Sequence, residues 1–389
     1  MWAPLAATAL LSAATPVPTP PNEAPTAVAV VSADGILHRD TRHADPDRVY
    51  YFGSVSKPVT AAAVAEAGIP RDMRIDAAVP TLAGTDLAAR GTTVGDLLDH
   101  TSGLPHDITL TDRARTDSAT TIVPDAADVS LGERGTYSYS SLNYLVLQAA
   151  LEQATGDAAA SLAQVAPGVV TDGSVPAGRV PFFTGSLPRT APFDAAGLGY
   201  GYLAGDIDTL SGFASDQLVD PSDAWQEETM SINGRGVTAF RHNGAVPGSF
   251  AHVTLVPELD RAVVLLSARY GETEAQQLND WADAVVQSQL GGTPAEIPPA
   301  SRLPLWSGLG LVLMLVLAGM ALRVRPRWWG AVLAASTAAG VVVTPVLLGF
   351  PLSVMWLWAP DLVVILAAGA AILAGTAVFA AVRRTHDSH

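Results

Sequence analysis

The chain has 389 residues, of which 49% are hydrophobic and only 15% charged, with a formal net charge of −15 and no cysteine. This length supports one large domain or two ordinary ones, and the lack of cysteine excludes both a disulfide framework and a thiolate metal site. An acidic chain repels phosphate backbones, which argues against nucleic acid as a partner.

The charge is unevenly divided. Residues 1–303 carry 35 Asp and Glu against 17 Lys and Arg, whereas residues 304–389 carry two Asp against five Arg. Few charges and a positive mean hydropathy assign part of the length to lipid. Of the 22 basic residues, 21 are Arg; the single lysine is Lys57.

In chain order, residues 1–14 are a short apolar stretch ending in Ser12-Ala13-Ala14, followed by a Pro/Thr-rich run over 15–26. This pattern reads as a secretory signal cleaved after Ala14, or, since no Lys or Arg marks an n-region, as a buried or disordered N-terminus. The β-branched run 27–31 meets the turn Ser32-Ala33-Asp34-Gly35, predicting a strand and hairpin. Helical patterns follow at 60–67, 94–99 and 141–154, the last stopped by Thr155-Gly156. Residues 157–200 have little periodicity and read as loop and short elements. Strand composition returns at 237–241, 252–256 and 261–268, and a helical pattern covers 272–290. A helix cluster between an N-terminal strand and a C-terminal run of strands predicts an α+β domain over 27–290.

Residues 291–304 are rich in Pro and Gly and read as a linker. Beyond them lie three apolar segments, about 305–322, 328–350 and 362–382, each long enough to cross ~30 Å of hydrocarbon as a helix. Arg323, Arg325 and Arg327 follow the first, and Arg383 and Arg384 follow the third, in the tail 383–389. The loop between the second and third has no Lys or Arg and offers Trp356, Trp358 and Asp361. By the positive-inside rule both Arg clusters are cytoplasmic, which places the globule outside the cell.

Ser54-Val55-Ser56-Lys57 precedes the first helical run, and at helical spacing its first and fourth residues share a face. A serine hydroxyl becomes a good nucleophile when a neighbouring base takes its proton. Lysine serves as that base only when its ammonium is destabilised, because its reference pKa is ~10.4; arginine does not deprotonate at all. An Arg-rich chain that places its one lysine here fits that requirement, although a proteome-wide bias towards Arg also explains scarce lysine. Pro58 has no N–H to donate to the Ser54 carbonyl, so the first turn must deform or leave that acceptor unpaired. Tyr139-Ser140-Ser141 opens a later helical run; it reads either as a phenol relaying protons beside the lysine or as a packing aromatic with a serine cap. His242-Asn243-Gly244-Ala245 begins a β region, where glycine permits close approach of a substrate to a strand edge, and His242 reads as a carboxylate-binding or proton-donating group or as a solvated strand-end histidine.

These motifs, with Tyr51-Phe52-Gly53 before the nucleophile, Asp96-Leu97-Leu98-Asp99-His100-Thr101-Ser102-Gly103-Leu104-Pro105 between them, and Val246-Pro247-Gly248 after them, resemble those of the class C β-lactamase-like family of serine hydrolases. That family includes penicillin-binding proteins, D-alanyl-D-alanine carboxypeptidases and esterases. The resemblance covers roughly residues 27–290 and implies an antiparallel sheet with flanking helices and an all-helical subdomain, the site lying between. It implies Ser54 as nucleophile, Lys57 as general base and Tyr139 as a second proton-transfer group. The backbone N–H groups of Ser54 and Ala245 form the implied oxyanion hole, and Ser141, His242, Asn243 and Gly244 line the substrate. The segment from His100 to Pro105 is expected to shape a loop only.

Two departures stand out. Ser141 occupies a position usually held by Asn, and His242 one where dedicated β-lactamases carry Lys. Both point away from efficient β-lactam hydrolysis and towards peptides or esters. The resemblance implies a bacterial hydrolase acting on a small-molecule or peptide substrate of cell-wall type, with no cofactor and no metal; the apolar segments and the Arg clusters, which lie outside the resemblance, add a multi-pass membrane anchor with the hydrolase extracytoplasmic. The competing readings are a membrane sensor acylated by, or binding, cell-wall fragments or β-lactams, and a non-catalytic binding module.

Overall fold

The computed structural model describes residues 16–106, 110–299 and 351–386, together with scattered positions of 306–343. The first hairpin pairs β1 (Thr26–Ser32) with β2 (Gly35–Arg42). The chain passes through the short β3 (Tyr50–Tyr51) into a helical block of α1 (Ser56–Glu66), α2 (Ile75–Ala78), α3 (Asp86–Ala89), α4 (Val94–Leu98), α5 (Ala119–Ala127), α6 (Ser141–Thr155) and α7 (Ala158–Val165). A small hairpin of β4 (Gly178–Phe182) and β5 (Gly185–Arg189), then β6 (Ala204–Gly205) paired with β3, leads to α8 (Ile207–Val219). Strands β7 (Gln226–Ile232), β8 (Arg235–Val246), β9 (Ser249–Val256) and β10 (Arg261–Ser267) precede α9 (Ala275–Gln289). Towards the C-terminus lie α10 (Leu352–Trp358) and α11 (Pro360–His386).

The main sheet has the order β2-β1-β10-β9-β8-β7, with every neighbouring pair antiparallel. Its central strands are covered on both faces, which is why β1 and β10 are near-continuous apolar runs and β9 is buried at every position, its Ser249, His252 and Thr254 included. Alternate residues still divide between two cores. Ala27, Ala29 and Val31 of β1 and Val264 and Leu266 of β10 join the large core shared with the helical block and α8. Val28, Val263 and Leu265 face the opposite side, where Leu278, Trp281, Ala282, Val285 and Val286 of α9 close the second core at helical spacing. In the helical block α6 is the central rod, buried at every position from Ser141 to Leu151. Its apolar character all round is what a helix surrounded by α1, α4, α5 and α7 requires. Ser140 caps it, its Oγ accepting from Leu142 N at 3.2 Å, and Gly156 ends it in the left-handed conformation at φ 83°.

The hairpin, the strands and the long helices lie where the sequence predicts them, with several differences. The first helix starts at Ser56 instead of residue 60, because Gly53–Val55 forms a 3-10 turn ahead of it. That turn resolves the difficulty with Pro58, which becomes the third helical residue, where an N–H has no intrahelical acceptor to lose. Residues 157–200 contain one true helix, α7, capped by the Asp157 side chain on Ala160 N at 3.0 Å. Strand β7 and helices α5 and α8 were not foreseen. The segment read as a loop between the second and third apolar stretches is, over Leu352–Trp358, a helix. Of the three apolar segments, the third lies within α11, whose Pro360–Val378 portion is long and apolar enough to cross a membrane. The first two, about 305–322 and 328–350, fall largely outside the described residues, as does the N-terminal stretch 1–14.

Candidate active site

Ser54 sits in the 3-10 turn that joins β3 to α1, and Lys57 follows on the first turn of α1, so local geometry alone brings the two side chains together. Lys57 Nζ donates to Ser54 Oγ at 3.0 Å. Lys57 is fully buried, with 0% exposure, yet no salt bridge holds it among the described residues. Its other partners are uncharged: Nζ donates to the Tyr200 carbonyl at 2.9 Å and reaches Ser141 Oγ at 3.4 Å.

Tyr139 approaches from the helical block, one residue before the Ser140 cap of α6, and its hydroxyl donates to Ser54 Oγ at 2.7 Å. Its ring lies 4.6 Å from the imidazole of His100, centroid to centroid. His100 is held in turn by Ser140 N, which donates to Nδ1 at 3.1 Å, and by the amide of Asn143 at 3.0 Å from the same nitrogen. Burial, reinforced by the Lys57 charge, pushes the His100 pKa down to about 3, so its ring is a neutral prop for Tyr139. The segment set aside in the sequence as loop-shaping therefore also orients a site residue. The His100-Thr101-Ser102-Gly103 string was the available signal.

The third wall is β8. A Cβ on Gly244 would lie 2.5 Å from Ser54 N and 2.7 Å from Val55 N, and a Cβ on Gly53 would fall against Ala245 N. Gly53 also has φ 54°, a conformation that favours glycine. The two glycines thus let the backbones carrying the Ser54 and Ala245 N–H groups touch. His242 is buried on the same strand; its Nδ1 pairs with the Asn243 carbonyl at 2.7 Å, the ring nitrogen donating. Burial first, then the Lys57 charge, lowers its pKa to about 3. Asn243 donates from Nδ2 to Asn279 Oδ1 of α9 at 2.7 Å.

Ser54, Tyr139, Ser141, His242, Asn243, Gly244 and Ala245 all line one cavity of about 720 Å³, and Lys57 stands behind Ser54. Ser141, expected to face the substrate, reaches both the cavity and the lysine. Sequence reading missed several neighbours. The Tyr200 hydroxyl donates to Asp194 at 2.5 Å and accepts from Asp112 N at 3.0 Å, Tyr202 donates to Asp112 at 2.9 Å, and Arg115 bridges Asp194 at 2.6 Å. This network anchors the turn whose Tyr200 carbonyl receives Lys57. Glu272 and Asn279 line the cavity from the far side, and burial raises the Glu272 carboxyl. No local pattern marks these residues, which meet only through the tertiary fold. Among the described residues no cluster of His, Asp and Glu has the makings of a metal site.

Residues 19–165 match the family model described as Beta-lactamase. Over that stretch the chain is similar to the β-lactamase family. Penicillin-binding protein 4 of Amycolatopsis lactamdurans is 36% identical over 132 residues, which is 32% of this chain and 35% of that protein, so the alignment spans about a third of the relative. Among solved structures, the octameric penicillin-binding protein homologue from Pyrococcus abyssi superposes with a TM-score of 0.57 at 15% identity, covering 74% of this chain and 77% of that one. The D-amino acid amidase from Ochrobactrum anthropi gives 0.56 at 15% identity over 68% and 93%, and D-alanine carboxypeptidase AmpC from Burkholderia cenocepacia 0.54 at 14% over 69% and 93%. At such identity these structures speak for the fold: the β-lactamase-family matched region, which ends at α7, continues into the β7–β10 half of a mixed α/β β-lactamase/transpeptidase-like fold.

Proposed function

We propose that the globule is a serine hydrolase acting through an acyl-enzyme. The observation that carries this reading is the convergence of two proton-transfer groups on one hydroxyl, with Lys57 Nζ at 3.0 Å and Tyr139 Oη at 2.7 Å from Ser54 Oγ. In its amine form Lys57 accepts the Ser54 proton along the 3.0 Å contact while Oγ bonds to the substrate carbonyl carbon. The developing oxyanion lies between the Ser54 and Ala245 N–H groups. As the tetrahedral species collapses, the Tyr139 hydroxyl gives its proton to the leaving amine or alcohol and recovers one from Lys57. Water then attacks the acyl carbon with the same groups in reverse order, and Ser54 regains its proton. No step calls for a metal or cofactor.

His242 supports peptides or esters over β-lactams as substrates, because a neutral imidazole offers a β-lactam carboxylate no ion pair and holds it less firmly than the ammonium of a lysine would. The names of the structural relatives, a D-amino acid amidase and a D-alanine carboxypeptidase, favour carbonyls next to a D-configured centre. The test is turnover of D-alanyl p-nitroanilide and p-nitrophenyl acetate by the full chain in mild detergent. Hydrolysis abolished by Ser54→Ala is expected; hydrolysis surviving it would refute the reading, and a lasting adduct without turnover would favour a sensor.

We further propose the domain plan of a signal segment over 1–14, a hydrolase over 27–290, a linker over 291–304, three membrane spans within 305–382 and a cytoplasmic tail over 383–389. The length and apolarity of Pro360–Val378 and the placement of the Arg clusters support it. Such a chain sits in the bacterial cell membrane with the cavity outside. Labelling of Ser388→Cys by an impermeant thiol reagent in intact cells would overturn that orientation.

A further inference from the structure

The cavity that holds Ser54 has a second end. There its lining is Val354, Met355 and Trp358 of α10, Ala359 between the helices and Leu362 at the head of α11, five residues of which none is charged. This wall is fastened to the globule. Arg189 donates to the Trp356 carbonyl at 3.0 Å and stacks its guanidinium 5.7 Å from the Trp356 ring centre. Trp358 packs edge-on against Tyr270 at 5.7 Å, and Tyr270 stacks on Phe250, which pairs with Ala245 across β8 and β9. Gly271 makes room for the contact, since a Cβ there would lie 2.8 Å from the Trp358 carbonyl. An aromatic series thus runs from beside the Ala245 N–H to α10. Two residues after Trp358 begins the segment Pro360–Val378, apolar enough to span a bilayer, so the two tryptophans stand where such rings settle, at the lipid and water boundary.

We propose that this wall is a subsite for the aliphatic chain of a membrane-borne substrate, an amphiphilic ester or amide drawn from the bilayer with its scissile carbonyl at Ser54 and its chain along Met355, Trp358 and Leu362. The proposal rests on the serine-hydrolase reading. Apart from the Trp358 indole N–H, a polar cell-wall peptide would find no strong hydrogen-bonding side chain along this run. Continuity of the wall with α11 places its opening at the membrane surface, where an amphiphile is concentrated.

The test uses the full chain reconstituted in phosphatidylcholine vesicles and compares kcat/KM for p-nitrophenyl decanoate with that for the acetate. Each methylene buried on an apolar wall is worth about three- to fourfold, so a decanoate-to-acetate ratio of at least about tenfold is expected. Partition into vesicles raises this ratio without any subsite, and two variants separate the effects. Trp358→Ala removes the anchor, and Met355→Ala trims the wall while keeping a good helix former. Both should cut the ratio several-fold in the same vesicles. A flat ratio in the native protein, or a high ratio unchanged in both variants, overturns the subsite. Failure of a small fluorophosphonate to label Ser54 in the native protein would instead overturn the hydrolase reading beneath it.

Discussion

Replacing Gly244 with alanine tests the contact between β8 and the nucleophile turn. The added methyl would sit 2.5 Å from Ser54 N and 2.7 Å from Val55 N, well inside van der Waals distance, and both opposing atoms are backbone that has no rotamer to yield. Strand and turn must separate by about an ångström, which parts the Ser54 and Ala245 N–H groups from a shared oxyanion. Losing one such donor costs about 10²- to 10³-fold in kcat, and a misplacement of this size falls in the same range. The control is Gly212→Ala on the exposed face of α8, where a Cβ meets nothing within 4 Å and the helix should gain up to ~1 kcal/mol. Ester turnover by both variants, with circular dichroism to verify the fold, decides the matter. If Gly244→Ala is folded and keeps turnover within about threefold of native, the oxyanion site does not lie there.

Lys57→Arg should be as inactive as Lys57→Ala, because the role requires a removable proton and not a fixed charge; comparable turnover by the Arg variant would make Lys57 structural. Stability should fall with acid: His100 and His242 have folded pKa values of about 3 against an ordinary 6.5, so the unfolded chain takes up protons that the folded chain refuses. Their contribution is intact above about pH 6.5 and is lost at ~1.4 kcal/mol per histidine per pH unit as pH falls towards 3. A thermal midpoint that stays constant from pH 7 to pH 5 would contradict the burial of both rings. His242→Lys should shift preference towards penicillins by about ten- to a hundredfold, the worth of a charge-assisted hydrogen bond of ~1.5–3 kcal/mol, while the native protein prefers activated esters and D-alanyl peptides. A native protein that hydrolyses penicillins faster than these would refute the reading of His242.

What the sequence made legible was local. Ser54 and Lys57 are three residues apart on one turn, and the ordered Tyr139 and His242 motifs needed only a fold that brings them to it. The β-branched runs and the hairpin at Gly35 marked the sheet because strand composition is written residue by residue. Elsewhere the information is tertiary. Helix α8 has Gly and Ser at interior positions and draws its stability from packing on β1 and β10, so its own pattern is weak. The Asp112, Asp194, Arg115 and Tyr200 network joins residues up to 88 positions apart. Nothing in the string Leu-Ser-Val-Met-Trp-Leu-Trp shows that it returns to the cavity of Ser54, since the contacts that fix it come from Arg189 and Tyr270.

The central claim is that Ser54 is the acylated nucleophile. Peptide mapping by mass spectrometry, after exposure of the full chain to a fluorophosphonate and separately to an activated ester, tests it directly. The account predicts one modified serine, Ser54, with no label on Ser54→Ala protein and an ester-derived adduct that decays within the turnover time. Label on another serine, or label retained by Ser54→Ala, would contradict it.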